Sequence, residues 1–291
     1  MSTISRRQAI QSLASLAGAA FIRPTSILSA EPIKDSVRFA VIGDWGTGGH
    51  DAQGIANQMT LAHKRTPLDF VIAAGDNIYP NGSGRHFAKN FEQPFARLIS
   101  DRVNFYAVLG NHDVEDGRQD QLQYQLFNMR GRNYYTLQQA DGLVELFMLD
   151  STYFDNAQLA WLEQALSAST ARWKVAVFHH PIYSSGDRHG SNPALKSKLE
   201  PLFTKYKVNA VFSGHDHIYE RTKPQNGIQY FVTGAGGKTR RGGVDLKSPI
   251  RQASYDEDNH FMVVEIQPQH IVFQAVSETG RVVDSGIFGS T

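Results

Sequence analysis

The sequence predicts an α/β fold in which helices lie on the outside of a sheet. From residue 37 to residue 216, apolar runs of strand length alternate with segments whose apolar residues recur at helical spacing. This alternation is typical of strand–helix units, whose helices pack against the faces of a sheet. After residue 228, apolar runs of strand length follow one another. That late tail predicts a second sheet packed on the first.

The predicted elements follow in order along the chain. VRFAVIGD at 37–44 is an apolar strand that ends in a turn, and apolar residues at 52–65 recur at helical spacing. Residues 85–99 are also mostly helical, although Pro94 interrupts them. A glycine-rich stretch at 233–243 is predicted to be a flexible loop. Further strands are predicted at 68–76, 103–113, 142–150, 173–180 and 208–216, and antiparallel strands at 228–233, 261–268 and 271–276.

Composition limits the classes of protein and of site. The chain has 291 residues, of which 41% are hydrophobic and 20% are charged, so it can bury a sizeable core as a globular protein. Its net charge of +1 gives no sign of a nucleic-acid partner. It has no cysteine, so any metal must be held by His, Asp, Glu, Asn or Tyr. Residues 31–291 show neither a linker nor a repeat, which predicts a single domain.

Residues 1–30 differ in kind from the rest of the chain. Arg6 and Arg7 precede an apolar stretch of mostly small residues at 14–22, and LSA at 28–30 resembles a cleavage site. This pattern predicts a twin-arginine signal, which exports folded protein to the periplasm or out of the cell. The stretch is too short and too weakly apolar to predict a stable membrane anchor. The alternative interpretation is an amphipathic N-terminal helix.

Side chains that can bind metals follow five of the predicted strands. Loops beyond the carboxyl ends of strands form the binding sites of α/β sheets. Each motif alone is typical of a turn or a solvated loop, but five of them at strand ends favour one shared site. The motifs are GDWG with Asp44, GDNIY with Asp76 and Tyr79, GNHD with Asn111, HHP with His179, and GHDH with His215 and His217. These side chains are too many for one ion, so two ions that share a carboxylate are predicted.

This ordered set of motifs resembles the calcineurin-like metallophosphoesterases, and more narrowly the purple acid phosphatases of the small tartrate-resistant type. Two positions carry the narrower resemblance. Many relatives have a histidine two residues after the first aspartate, where this chain has Gly46. In the purple acid phosphatases the missing ligand is a tyrosine, which here is Tyr79, three residues after Asp76. A tyrosinate oxygen is a hard anionic donor that suits a ferric ion.

The resemblance implies a four-layer αββα sandwich of two mixed sheets flanked by helices. It also implies a dinuclear centre of Fe(III) and a divalent Fe, Zn or Mn ion. The His-x-Pro pattern of the fourth motif selects His179 rather than His180. His189, in the loop after that motif, and His112 are the implied outer-sphere histidines. The implied ligands are Asp44, Tyr79 and His217 for the ferric ion, Asn111, His179 and His215 for the divalent ion, and Asp76 as the bridge.

The implied function is an acid phosphatase that hydrolyses small phosphate monoesters by attack of a metal-bound hydroxide, with His189 or His112 as the proton donor. Two alternatives stay open. One is a phosphodiesterase or nucleotide-hydrolysing enzyme, because Lys238, Arg240 and Arg241 in the glycine-rich loop could bind longer anions. The other is an iron-binding redox protein.

Two aromatic residues lie close in sequence to the metal-binding motifs. Trp45 and Tyr183 are predicted either to line the cleft or to belong to the core. Nothing in the sequence indicates an oligomeric state.

Overall fold

The computed structural model describes Leu28 and residues 33–289. Within these residues, thirteen strands form two sheets, and helices lie around them. The strands are β1 (Val37–Ile42), β2 (Phe70–Ala74), β3 (Asn104–Val108), β4 (Tyr135–Gln139), β5 (Val144–Met148), β6 (Trp173–Val177), β7 (Ala210–Ser213), β8 (Tyr219–Thr222), β9 (Gln229–Thr233), β10 (Arg251–Tyr255), β11 (His260–Ile266), β12 (Ile271–Ser277) and β13 (Val282–Phe288). The helices are α1 (His50–Arg65), α2 (Ala96–Ser100), α3 (Arg118–Gln123), α4 (Asn156–Ala168) and α5 (Pro193–Lys205).

Both sheets are mixed. The first has the strand order β13-β12-β11-β1-β2-β3, with β1, β2 and β3 parallel. The second has the order β10-β8-β9-β7-β6-β5-β4, with β5, β6, β7 and β9 parallel. The prediction of an α/β fold with two mixed sheets and flanking helices is confirmed. The carboxyl ends of parallel strands meet at one edge of each sheet, where their loops can form a common site.

Aromatic side chains pack the two sheets against each other. Phe39 and Phe70 of the first sheet stack with ring centroids 4.9 Å apart. Phe212 and Phe231 of the second sheet stack at 5.1 Å. Phe39 also meets the edge of Phe212 at 6.4 Å, which joins the two pairs across the interface. Burial of such side chains contributes about 1.5–3 kcal/mol each, so this layer is a large part of the packing energy of the fold.

Helices α4 and α5 cover the outer face of the second sheet. Each begins at a residue whose side chain accepts a backbone N–H, Asp155 from Gln158 at 2.8 Å and Asn192 from Leu195 at 3.0 Å. Such caps satisfy backbone donors that the first helical turn leaves free. Leu162 of α4 and Leu199 and Phe203 of α5 are buried in the same cluster as Phe178 and Val211 next to or in the sheet. The helices therefore form an outer layer, as predicted.

The late strands correct one expectation. The tail was predicted to form a separate second sheet, but β11 and β12 extend the first sheet beside β1. β9 was predicted to be antiparallel, and it is parallel to β7 and antiparallel to β8. β11 is buried along its whole length, which is the burial of a central strand rather than of an added outer sheet. Strands β4, β8, β10 and β13 escaped prediction because they are shorter, more polar or less buried.

The segment after β2 is only partly helical. A 3₁₀ turn at Gly84–His86 and a π-helical turn at Ala88–Glu92 precede α2. Pro94 lies between the π-helical turn and α2. Proline removes a backbone donor and clashes with the preceding turn, which accounts for the interruption. The segment is therefore helical where it was predicted to be, but it contains a 3₁₀ turn, a π-helical turn and a short α-helix instead of one regular helix.

Trp45 and Tyr183 both belong to the core. Trp45 is fully buried, and its ring meets the edges of Phe91 at 5.3 Å and Phe95 at 5.0 Å. Tyr183 is also buried, with its ring 4.8 Å from Tyr230. The alternative that these two rings line the cleft is therefore wrong.

Candidate metal centre

The five motifs converge where the carboxyl ends of the two sheets face each other. Asp44, Asp76 and Asn111 follow the neighbouring parallel strands β1, β2 and β3. His179 and His215 follow β6 and β7, which are neighbours in the second sheet. Hydrogen bonds between backbone atoms link the two edges, including Gly43 N–H to Thr233 O at 2.9 Å. The loops therefore meet because the sheets pack face to face.

Three of these residues have left-handed backbone conformations. The φ angles are 56° at Asp44, 49° at Asp76 and 70° at His215. Non-glycine residues lose roughly 1–2 kcal/mol in this region, so each turn is held by its surroundings. The Asp44 Oδ2 atom accepts the His215 N–H at 2.8 Å, and Asp76 Oδ1 accepts the His112 N–H at 3.0 Å. Each carboxylate is thereby fixed by a loop other than its own.

Tyr79 lies at the centre of one half of the cluster. Its hydroxyl oxygen is 3.0 Å from Asp76 Oδ2 and 3.3 Å from Asp44 Oδ1. The same oxygen is 3.3 Å from His217 Nε2. Two carboxylates, a phenol and an imidazole therefore aim their donor atoms at one small region, which is a suitable set for a hard cation.

The other half of the cluster is built around His179. Its Nε2 atom is 3.2 Å from Asn111 Oδ1 and 3.5 Å from Asp76 Oδ1. Its Nδ1–H donates to the carbonyl of Ala74 at 3.0 Å, which leaves the Nε2 lone pair directed at the cluster. Asp76 thus turns one carboxylate oxygen to Tyr79 and the other to His179. This is the placement that a carboxylate shared by two ions requires.

His215 lies among three other imidazoles. Its ring centroid is 5.0 Å from that of His179, 4.4 Å from His180 and 4.0 Å from His189. Ring nitrogens of His179, His180 and His215 all lie within 4.8 Å of one another. His180, which the His-x-Pro pattern passes over, therefore lies within the cluster. The Ser151 hydroxyl accepts the His180 N–H at 3.0 Å and contacts its Nδ1 at 2.9 Å, which fixes the ring.

Burial dominates the electrostatics of the cluster. It raises the pKa of Asp44 well above its ordinary value, and the neighbouring Asp76 raises it further. Burial also raises the pKa of Tyr79, and the charges of the two carboxylates add to that effect. Burial lowers the pKa of His179 far below its usual range and that of His217 to about 4. Because metal ligands must be deprotonated, neutral imidazoles with oxygen donors beside them fit a pair of cations.

The two predicted outer-sphere histidines lie on opposite sides of the cluster. His112 is on the tyrosine side, with its ring 4.8 Å from that of Tyr79 and its Nδ1 2.7 Å from the carbonyl of Pro80. His189 is on the His215 side, and its N–H donates to Asp216 Oδ1 at 3.3 Å. It lines an open cavity of about 410 Å³ together with His180 and His215. Both histidines are therefore close to the cluster without being at its centre.

The packing around Gly46 explains why this chain has no histidine two residues after Asp44. A Cβ atom on Gly46 would overlap the backbone carbonyl of Asn77, so the position has no room for a side chain. The Gly46 carbonyl accepts the N–H of Tyr79 at 2.8 Å. The close approach that excludes a side chain at Gly46 therefore also positions the tyrosine.

Two buried carboxylates in the motifs escaped sequence reasoning. Asp113 accepts the N–H groups of Asn77, Ile78 and Gly110 at 2.8–3.0 Å, which ties the loop after β2 to the loop after β3. Asp216 accepts the Ser184 hydroxyl at 2.6 Å and the Gly190 N–H at 3.1 Å. The sequence feature that could have identified them is their place as acidic residues inside the GNHD and GHDH motifs.

The first half of the glycine-rich loop at 233–243 is packed against the loop after β1 instead of being exposed. Residues 234–237 are buried, and the N–H groups of Gly236 and Gly237 donate to the carbonyls of Gly43 at 2.9 Å and Asp44 at 3.0 Å. A Cβ at Gly236 would lie 2.7 Å from the Trp45 Cβ, so the glycine permits this close contact. The prediction of a flexible loop is wrong for this half of the segment.

Comparison with known proteins places the chain in a class. Residues 37–219 match the calcineurin-like phosphoesterase family. The chain therefore belongs to the calcineurin-like phosphoesterases, and the candidate centre is that of a dinuclear-metal phosphoesterase.

Two curated relatives define the family more narrowly. Purple acid phosphatase 17 of Arabidopsis thaliana is 34% identical over 249 residues, which cover 74% of this chain and 73% of the relative. Tartrate-resistant acid phosphatase type 5 of Homo sapiens is 30% identical over 244 residues, 71% of this chain and 75% of the relative. Within its class, the chain belongs to the purple acid phosphatase family.

A solved structure with another role shares the fold. The Plasmodium protein GAP50, described as the anchor in the inner membrane complex, matches with a TM-score of 0.79 and 22% identity, covering 88% of this chain and 89% of that protein. This similarity shows the fold alone, because one fold can serve several functions. Among the described residues, none of the helices has the length and apolar character needed to cross a membrane.

Proposed function

We propose that this protein is an acid phosphatase that hydrolyses small phosphate monoesters at a pair of metal ions. The observation that carries the proposal is the placement of Asp76, whose Oδ2 is 3.0 Å from the Tyr79 hydroxyl and whose Oδ1 is 3.5 Å from His179 Nε2. One carboxylate thereby joins two sets of donors. The named activity of the curated relatives supports the same reaction.

The proposed ligand sets follow these two halves. Asp44, Tyr79 and His217 would hold a ferric ion, and Asn111, His179 and His215 would hold a divalent ion, with Asp76 shared. The tyrosine oxygen between two carboxylates favours a hard ion on its side, and the imidazoles favour a softer divalent ion on the other. When bound, such a pair neutralises phosphate oxygens and lowers the pKa of coordinated water.

The chain's own contribution to the reaction is proton transfer to the leaving group. His189 lines the open cavity beside His215, so its imidazolium can reach the alkoxide oxygen of an ester whose phosphorus lies at the centre. His112 is the second candidate, because its Nδ1–H can donate to the Pro80 carbonyl while Nε2 remains available. We assign the proton to His189, since it lines the open cavity beside His215.

Metal analysis combined with a visible spectrum tests the ferric assignment. Phenolate-to-iron charge transfer should colour the protein pink to purple, and Tyr79→Phe should remove the band while the retained ring preserves the packing. Iron should be found near one equivalent per chain if the divalent ion is zinc or manganese, and near two if it is iron. A colourless protein with zinc or manganese in both positions would contradict the ferric assignment. Phosphatase activity on p-nitrophenyl phosphate by that same protein would leave the phosphoesterase assignment standing.

We also propose that residues 1–30 are a twin-arginine signal and that residues 31–291 form the exported catalytic domain. Except for Leu28, residues 1–30 lie outside the described part of the chain. The paired Arg6 and Arg7 support the proposal, because a receptor reads them. Replacing both with lysine should keep active enzyme in the cytoplasm. Undiminished phosphatase activity in the envelope fraction would contradict the proposal.

A further inference from the structure

The buried carboxylate of Asp216 connects the GHDH motif to another loop of the candidate centre. Asp216 follows His215 and precedes His217 in the chain, and its side chain is buried. Its hydrogen bonds go to the loop at residues 184–190, which lies between the HHP motif and α5. That loop carries His189, the proposed proton donor. The contacts of Asp216 therefore bear on the placement of a catalytic group.

Three groups of the loop donate hydrogen bonds to this one carboxylate. Asp216 Oδ2 accepts the Ser184 hydroxyl at 2.6 Å and the Gly190 N–H at 3.1 Å. Asp216 Oδ1 accepts the His189 N–H at 3.3 Å. Hydrogen bonds to a charged acceptor are stronger than bonds between neutral groups. Both ends of the loop are therefore fastened to the carboxylate, and one of the bonds is made by the main chain of His189 itself.

The carboxylate of Asp216 is also packed closely against the loop. A Cβ atom on Gly186 would overlap the carboxyl group of Asp216, so the glycine permits this close approach. The Gly186 N–H donates to the Ser184 hydroxyl oxygen at 2.9 Å, and that hydroxyl donates to Asp216. Close packing restricts the rotamers of a side chain. The GHDH turn therefore determines where the carboxylate lies, and the carboxylate in turn determines where the loop lies.

The ring of His189 is held by packing on one side only. Its centroid is 4.0 Å from that of His215, and the ring lines the open cavity beside that residue. Its position consequently depends on where the main chain holds its Cα atom. A general acid must come within hydrogen-bond reach of the leaving oxygen, and a displacement of about 1 Å can cost about 10²-fold in rate.

We propose that Asp216 is a positioning residue, which holds the main chain of His189 so that the imidazole reaches the leaving oxygen of the ester. The inference rests on the proposed phosphatase function and on the assignment of the proton to His189. It gives the GHDH motif two tasks, since His215 and His217 supply nitrogen donors and the acid between them holds the loop of the proton donor. One short turn thereby sets the distance between the metal centre and that donor.

Asp216→Asn tests the proposal in metal-replete enzyme, because the amide keeps the size of the side chain but replaces one acceptor oxygen with a donor. We expect kcat/KM for glycerol 2-phosphate, an alkyl ester, to fall about 10²-fold, as for a misplaced reacting group. The value for p-nitrophenyl phosphate should fall less than about threefold, because its leaving group needs no proton. In a His189→Ala background the same substitution should change either value less than about twofold, because the group that it positions is gone.

The matched control is Glu220→Gln. Glu220 is a second buried carboxylate that holds the same loop, but it accepts the N–H of Ser185 at 2.6 Å. Its replacement leaves the bond between Asp216 and His189 in place. We expect the ratio of the two kcat/KM values to be the same as in the wild type.

Ser184→Ala tests the proposal from outside the GHDH motif. It removes the hydroxyl that donates to Asp216 and leaves the carboxylate itself unchanged. A smaller selective loss on glycerol 2-phosphate is expected, about fivefold, as for one hydrogen bond. Metal content should be measured in each variant, because Asp216 is next to two proposed ligands. If Asp216→Asn loses metal, Ser184→Ala decides the question, and equal losses on both substrates there would overturn the proposal.

The kinetic outcomes separate positioning from a structural role. Equal losses on both substrates in metal-replete Asp216→Asn would overturn the proposal, because a distorted metal centre affects every ester. Persistence of the selective loss in the His189→Ala background would overturn it as well. The same selective loss in Glu220→Gln would overturn it in favour of a general effect of loop order.

Hydrogen exchange gives a measurement that does not depend on activity. In metal-loaded Asp216→Asn, the amides of His189 and Gly190 should exchange about tenfold faster than in the wild type, because their acceptor is altered. Unchanged exchange would refute the proposal. If the wild type hydrolyses neither substrate, the phosphatase proposal fails, and exchange alone still decides whether Asp216 holds the His189 segment.

Discussion

The loops of the two sheets contribute chemically different halves of the candidate centre. Those of the first sheet supply oxygen donors, and those of the second supply nitrogen donors. Within the oxygen half, Asp44 is 0% and Asp76 2% exposed, whereas Asn111 is half-buried. Within the nitrogen half, His179 is fully buried, whereas the His217 side chain is 23% exposed and His189 borders a cavity. The oxygen donors are Asp44, Asp76, Tyr79 and Asn111, and the nitrogen donors are His179, His215 and His217.

This difference teaches that neither sheet contains a site by itself. The hydrogen bond from His215 N–H to Asp44 and the one from His179 Nδ1–H to the Ala74 carbonyl both cross from one sheet to the other. Metal binding should therefore be coupled to the packing of the two sheets. The two carboxylates are held away from solvent, and the cavity beside His215 opens on the histidine side.

The largest effect should come from removing the carboxylate that joins the halves. Asp76→Asn should lower kcat/KM for p-nitrophenyl phosphate on the order of 10⁴-fold or more, as for loss of a central catalytic group, and should reduce the content of both metals. Elemental analysis and steady-state kinetics measure these two effects. Asp141→Asn, an exposed change in the loop before β5, is the control. A variant with full metal content and normal activity would show that the halves do not depend on Asp76.

The next effect distinguishes the two sides of the cluster. His189→Ala should lower kcat/KM for alkyl phosphates about 10³-fold and for p-nitrophenyl phosphate much less, because a good leaving group needs no proton. His112→Ala should show little dependence on the leaving group. Equal losses on both substrate classes at His189 would mean that it binds phosphate. A larger selective loss at His112 would place the leaving group on the tyrosine side.

A third change acts on the contact between the sheets. In Gly214→Ala, the new methyl group would overlap Asp44 Oδ2 and lie 3.0 Å from the Ala74 carbonyl. Displacement of the carboxylate should lower kcat/KM about 10²-fold, the usual cost of misplacing a reacting group by about 1 Å. Gly49→Ala is the matched control, because the nearest atom to its methyl group would be Thr47 Oγ1 at 3.7 Å. Unchanged activity in Gly214→Ala would argue against tight coupling of the halves.

The last expected effect is on stability rather than on activity. Chelation of the metals should lower the melting temperature, because ions that bind only the folded state contribute about 4 kcal/mol at a thousandfold excess over Kd. For a chain of this size, the shift should be roughly 8 °C or more. Differential scanning calorimetry of metal-replete and metal-stripped protein measures it. Asp76→Asn should show a much smaller difference between the two preparations. Equal melting temperatures for the two wild-type preparations would show that metal binding does not stabilise the packing of the two sheets.

Motifs at strand ends predicted the donors better than they predicted the fold around them. Asp44 and His215 were found because glycine followed by a polar ligand at a strand end is a local signal. The sheet to which β11 belongs was not predicted, because pairing between distant segments leaves no local pattern. Trp45 also escaped assignment, since an aromatic residue beside a motif can face either a cleft or a core. Only the positions of Phe91 and Phe95 decide between them.

The position of β1 has a consequence for biosynthesis. β1 carries Asp44 and pairs on one side with β2, which follows it closely in the chain. On the other side it pairs with β11, where Val37 lies opposite Ile266. Contacts between residues so far apart in sequence form slowly, because a long loop must close first. A ribosome must therefore synthesise the chain through β11 before this strand gains its second neighbour. If the metal centre requires this second pairing of β1, nascent chains stalled before β11 should bind no metal pair.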